Sequence, residues 1–190
     1  MDYPIYEGHL EIRQSGGTRV LTGRFNYGSR ATIRDRGRVR KESFSSRAFR
    51  FAIEQEPERR IDILVGHDFG KPIASRQSGT LKIEDGADAV TFEARLPDDP
   101  PSWVIDAERA IAAGLMTGLS PGFTVPSKTV RPDAEELVPE EGSTEGVMIR
   151  QINHAVLREF SVVTSAAYQD AMVALRSDDP RPLLRRRIWL

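Results

Sequence analysis

Three histidines, His9, His67 and His154, and no cysteine restrict the chemistry open to this chain. Without thiols there is no disulfide framework, no thiol nucleophile and no cysteine metal ligand. Few carboxylates neighbour the histidines, so neither a zinc site nor any other cofactor is expected. A serine paired with a histidine uses the inventory better. Serine is a weak nucleophile unless a neighbouring group takes its proton, and neutral imidazole suits that task near pH 7. His67 follows the apolar run Ile61-Asp62-Ile63-Leu64-Val65 and Gly66, so its ring can stand at the rim of a sheet. Ser120 lies between Gly118 and Gly122, where backbone can approach a substrate closely. A structural histidine and a serine in an ordinary glycine turn are the competing reading, and these two features alone leave both open.

The run Gly118-Leu119-Ser120-Pro121-Gly122 matches the G-x-S-x-G nucleophile elbow of α/β-hydrolases, but three physical points reject that fold. The elbow needs strand, serine, then helix, whereas here a helical segment precedes and a strand follows. Its oxyanion hole uses the N–H after the serine, and Pro121 has none. Its histidine comes last in the chain, whereas His67 comes first.

The elements that must hold the pair can be read from pattern. His9 to Arg13 alternates as a half-buried strand, and Thr18 to Phe25 follows Ser15-Gly16-Gly17 as a second strand broken near Gly23. Asn26 to Arg40 reads as an irregular loop with a short strand at Ala31-Thr32-Ile33. Phe44, Ala48, Phe49, Ala52 and Ile53 share one face of a short helix between Glu42 and Ile53. Ile61 to Val65, almost wholly apolar, is a strand buried on both faces. Lys71 to Ser78 is expected to be a loop. Gly79 to Glu84 and Ala89 to Leu96 form a hairpin about Asp85-Gly86. Ser102 caps a helix from Trp103 to about Ala113, with Gly114 past its end. Ser120 then leads into a strand from Gly122 to Val125. The acidic, proline-punctuated stretch from Pro126 to Gly146 reads as a solvated loop, with a substrate-gating lid as the alternative. Val147 to Ile152 and Ala155 to Thr164 are strands, Tyr168 to Arg176 is a short helix or strand, and the last residues are an Arg-rich tail. Many short strands with few helices predict a β-rich α+β domain built on a barrel or strongly curved sheet.

With 190 residues the chain suffices for one core of ordinary size rather than two domains. Its formal net charge of -1 argues against a dedicated nucleic-acid binder, leaving only the Arg-rich tail for such contact. No window approaches the ~18 apolar residues needed to cross a bilayer, and Met1-Asp2-Tyr3-Pro4 does not begin a signal peptide, so no membrane partner is expected.

Several runs, taken in order, resemble one family. They are Gly66-His67-Asp68, Ser78-Gly79-Thr80-Leu81-Lys82-Ile83, the helix ending Ala113-Gly114, Gly118-Leu119-Ser120-Pro121-Gly122-Phe123, and Leu157-Arg158-Glu159-Phe160-Ser161-Val162-Val163 with Ala166-Ala167-Tyr168 after it. Leu21-Thr22-Gly23-Arg24-Phe25 and the Glu42 to Phe49 segment are similar more loosely. Together, over roughly residues 18 to 176, they resemble the prohead (procapsid) maturation proteases of tailed phages. The chain departs from the usual pattern at Ala166, where a proline is common, and in the Arg-rich stretch from Asn26 to Arg40.

The resemblance implies a serine endopeptidase whose fold is related to herpesvirus assemblin, a barrel of about seven strands ringed by short helices. It implies His67 as general base, Ser120 as nucleophile and Glu159 as the residue that orients the imidazole. Herpesvirus relatives use a second histidine there, so His154 is the rival and Asp68 follows. Because Pro121 cannot donate, Arg158 or Arg150 are the oxyanion candidates, their competing reading being solvent-facing strand arginines. A single protease domain over residues 1–176 would precede the tail, residues 177–190. The implied substrates are the scaffold segment of the major capsid protein and the protease itself, cut in the host cytoplasm inside the assembling procapsid, with a homo-oligomer possible. A catalytically silent assembly or scaffold protein of the same fold is the alternative, and a small-molecule esterase is the weakest of the three.

Overall fold

The computed structural model describes residues 8–15, 18–35, 38–140 and 147–164. Among them lie β1 (Gly8–Ser15), β2 (Thr18–Asn26), β3 (Arg30–Asp35), β4 (Arg38–Phe44), a π-helix (Phe51–Gln55), β5 (Asp62–Val65) and β6 (Asp68–Ser75). Then follow β7 (Leu81–Asp85), β8 (Ala89–Arg95), α1 (Ser102–Ala112), β9 (Gly118–Thr124), β10 (Glu135–Pro139), β11 (Met148–Ile152) and β12 (Val156–Val163). The β-rich α+β class is as the patterning implies, but the strands form three four-stranded sheets, and no closed barrel is found among the described residues. The sheets run β1-β2-β8-β7, β10-β11-β4-β3 and β6-β5-β12-β9.

One aromatic cluster joins all three sheets. Phe25 of β2 meets Phe44 of β4 at 5.5 Å and Phe160 of β12 at 5.3 Å between ring centroids. Phe49 fills the space between them, and Phe123 of β9 packs edge-on against Phe44 at 4.9 Å. Phe25, Phe44, Phe49 and Phe160 are all essentially sealed from solvent. Burial of this kind contributes about 1.5–3 kcal/mol per side chain and welds the sheets into one unit. The site inherits its rigidity from that core, because Phe160 belongs to the strand that carries Glu159.

Several local expectations are corrected. Phe44, Ala48, Phe49, Ala52 and Ile53 are all buried as one apolar set, but they span a strand end, a turn and the π-helix instead of one α-helix. Their spacing reports a shared inward face and not the element that produces it. Arg76 closes that π-helix by donating from its guanidinium to the carbonyls of Ala52, Ile53, Glu56 and Pro57. Asn26 to Arg40 holds the β3–β4 hairpin, paired from Arg30↔Ser43 to Asp35↔Arg38, where a mostly irregular loop is expected. β2 is continuous through Gly23, and a Cβ there would lie 2.2 Å from the Phe92 ring, so the glycine makes room for a cross-strand aromatic. Lys71 to Ser75 belongs to β6, whose irregular pairing with β5 hides the strand pattern. The acidic stretch contributes β10, paired antiparallel to β11. Pro101, not Ser102, occupies the N-cap of α1, and no side chain caps that helix. The element expected at residues 168–176, the tail at 177–190 and residues 141–146 of the acidic stretch lie outside the described residues.

Candidate active site

β5 ends in a two-residue reversal, with Val65 pairing Asp68 across Gly66 and His67. Both turn residues have positive φ, +60° and +61°, the signs a tight type I′ hairpin requires. Glycine adopts this freely, whereas a histidine there costs about 1–3 kcal/mol and needs outside support. β12 supplies it. The Gly66 N–H donates to the Val162 carbonyl at 3.1 Å, and the His67 N–H donates to Ser161 Oγ at 2.8 Å. The imidazole Nδ1 then lies 2.6 Å from Glu159 Oε1.

β12 is the central strand of this arrangement, parallel to β5 on one side and antiparallel to β9 on the other. Glu159 and Ser161 are two residues apart, so both project from the same face, while Phe160 and Val162 project into the aromatic core. On β9, Gly122 lies opposite Glu159 and Ser120 opposite Ser161. Directly paired residues share a face with Cβ atoms ~4.5–5.5 Å apart, so Ser120 joins the face on which Glu159 holds the His67 ring. Ser120 is therefore a mid-strand residue, not one that merely leads into a strand.

The site is withdrawn from water. Side-chain exposure is 8% for His67 and 2% for Glu159, and Ser120 and Ser161 are fully buried. Glu159 uses both oxygens: Oε1 faces the imidazole and Oε2 accepts from Ser161 Oγ at 2.7 Å. With Glu159 ionised, Nδ1 carries the ring proton of the neutral imidazole, which leaves the lone pair on Nε2, the nitrogen turned away from the acid. Gly122 has a different use from the one its flanking position suggests. A Cβ there would lie 2.0 Å from Glu159 Oε1, so the missing side chain is the space in which the carboxylate lies. The two glycines about Ser120 thus do not form a nucleophile elbow, and one of them is a slot for the acid.

His154, Asp68 and Arg150 are employed elsewhere. His154 Nε2 is 2.9 Å from Arg131 Nη2 and 3.4 Å from Asp133 Oδ2, on a partly exposed corner. Asp68 is half exposed, accepts the Gly70 N–H at 2.8 Å and lies 3.4 Å from Lys71 Nζ. Arg150 belongs to β11 in another sheet, where it donates to Glu42 at 2.7 Å and to Glu135. Burial disfavours its charge, but Glu135 and Glu42 more than offset this and hold the guanidinium above its ordinary range. Arg158 is exposed at an irregularity in the β9–β12 pairing, where Leu157↔Phe123 is followed by Glu159↔Gly122. An extra residue of this kind re-aims its neighbours and is frequent beside active sites. Among the described residues, no group of three or more histidines and carboxylates is arranged to hold a metal.

Sequence reasoning passed over Ser161 and the slot at Gly122. Both stand two residues from a candidate, at Glu159 and Ser120, the spacing that puts side chains on one face of a strand. That signal becomes usable once the strands are known to pair. The sequence model of the Caudovirus prohead serine protease family matches residues 10–183. No curated protein and no solved structure matches the chain.

Proposed function

Because the chain belongs to the Caudovirus prohead serine proteases, we propose that it is an endopeptidase of prohead maturation with Ser120 as nucleophile, His67 as general base and Glu159 as its orienting acid. The family is one of serine peptidases, so acyl transfer is the chemistry to be derived. Glu159 accepts Nδ1–H and presents Nε2 as the base. As Ser120 Oγ bonds to the peptide carbonyl carbon, its proton passes to Nε2, and the imidazolium is stabilised by the adjacent carboxylate. The imidazolium returns that proton to the leaving amine, giving an acyl-enzyme. A water, deprotonated by Nε2, then attacks the ester, releasing the acid product and restoring Ser120 Oγ–H. Pro121 contributes no N–H to the oxyanion, and Arg158, at the irregularity in the β9–β12 pairing beside Glu159, is the proposed donor.

The observation that carries this reading is the sealed 2.6 Å contact between His67 Nδ1 and Glu159 Oε1, with Ser120 on the same face of the next strand. An acid buried against imidazole fixes the tautomer and the ring orientation that base catalysis requires. The proposed substrates are the scaffold segment of the major capsid protein and the protease chain itself, cut inside the procapsid. No helix among the described residues is long and apolar enough to cross a membrane. Ser120 is fully buried, so a peptide reaches it only after local movement, which suits an enzyme whose activity follows assembly.

Co-expression with the cognate capsid protein tests the proposal. Wild type is expected to yield shortened capsid protein, whereas Ser120→Ala leaves it full length, a loss of about 10⁶-fold. Identical full-length bands from both would favour the alternative, a catalytically silent assembly protein of this fold.

A further inference from the structure

Ser161 is a fully buried hydroxyl in the middle of a strand, a place where a small apolar residue would pack without polar cost. Its oxygen is bonded on both sides. It accepts the backbone N–H of His67 at 2.8 Å and donates to Glu159 Oε2 at 2.7 Å. One atom therefore touches both members of the base–acid pair.

Two degrees of freedom are removed by this. A carboxylate fixed only through Oε1 can rotate about its last side-chain bond, and the donation to Oε2 defines its plane, so that Oε1 faces Nδ1. The His67 backbone, held at φ +61°, is secured from β12 by the same oxygen. The bonds also distinguish this serine from Ser120. Its proton is directed at Glu159 rather than at Nε2, so Ser161 is not set up as a nucleophile.

We propose that Ser161 is a positioning residue for the peptidase reaction, setting the rotation of the Glu159 carboxylate and the turn conformation of His67 through one shared hydroxyl. The proposal rests on the assignment of Ser120, His67 and Glu159 above. It predicts that removing the hydroxyl lowers kcat while leaving KM nearly unchanged, because Ser161 Oγ is committed to His67 and Glu159 rather than offered to substrate.

The test uses the full chain and two readouts. The first is turnover of a peptide spanning a cleaved capsid site. Ser161→Ala and the near-isosteric Ser161→Cys, a weak donor, are expected to lose about 10²-fold in kcat with KM within about twofold, and Ser161→Thr to recover most of the rate. The second is the low-field proton NMR signal of the His67 Nδ1–H, which needs no turnover. It should be present in wild type, absent in Glu159→Gln, and shifted upfield or broadened in Ser161→Ala and Ser161→Cys but not in Ser161→Thr. A folded Ser161→Cys or Ser161→Ala chain that keeps the wild-type signal and rate overturns the proposal. If Ser120→Ala cleaves as well as wild type, the nucleophile assignment fails instead, and the NMR signal still decides whether Ser161 positions the pair.

Discussion

Two histidines in this molecule each face a carboxylate, and the two pairs are built differently. His67 and Glu159 lie 2.6 Å apart with 8% and 2% of their side chains exposed. His154 and Asp133 lie 3.4 Å apart with 34% and 67% exposed. In the exposed pair the charges are screened, and Arg131 competes for both partners. Loss of hydration pushes the Asp133 carboxyl up, but its own backbone N–H, Arg131 and His154 together bring it below the usual range, as in an ordinary surface ion cluster. The buried pair is shielded from solvent, and the second carboxylate oxygen is committed to Ser161. Residue type is common to both corners. Burial, and the commitment of both Glu159 oxygens, separates the pair at His67 from the surface contact at His154.

That contrast can be broken from either side. The largest effect is expected at the buried acid, where Glu159→Gln should lower kcat by about 10⁴-fold with the fold retained, because an amide can hold the wrong imidazole tautomer. Peptide turnover and a thermal melt measured together check this. Next comes the slot. Gly122→Ala sets a methyl where Glu159 Oε1 now lies, 2.0 Å from an ideal Cβ, so the carboxylate must leave the imidazole. We expect about 10²-fold lower turnover and a stability loss of about 1–3 kcal/mol by denaturant titration. The exposed acid should matter least. Asp133→Asn should change turnover by less than about twofold, since an exposed, salt-screened pair contributes little. A strong activity loss there, with Glu159→Gln unaffected, would exchange the roles assigned to the two corners.

How much of this was legible beforehand depends on whether a feature is local. His67 at the end of a buried strand and Ser120 between glycines follow from nearby residues, and Glu159 from the motif resemblance around it. The core face of residues 44–53 was legible as burial, but its element was misread, because inward-facing residues of a strand end, a turn and a π-helix can imitate helical spacing. β10 was missed because Glu135–Pro139 is a largely exposed strand at a sheet edge, two acids followed by Leu137, Val138 and Pro139, with no apolar alternation to betray it. The slot at Gly122 and the link through Ser161 depend on the register Gly122↔Glu159 and Ser120↔Ser161. Register between strands some forty residues apart is a tertiary property, set by which faces the whole core buries, and a one-residue slip would send Ser120 to the other side.

The central claim is that Ser120 is activated by His67. Treating the full chain with a fluorophosphonate probe and mapping the modified peptide tests this most directly. The account predicts one phosphonylated residue, Ser120, with labelling lost in His67→Ala. Labelling of Ser120 that proceeds at the same rate in His67→Ala, or labelling confined to another serine, would contradict it.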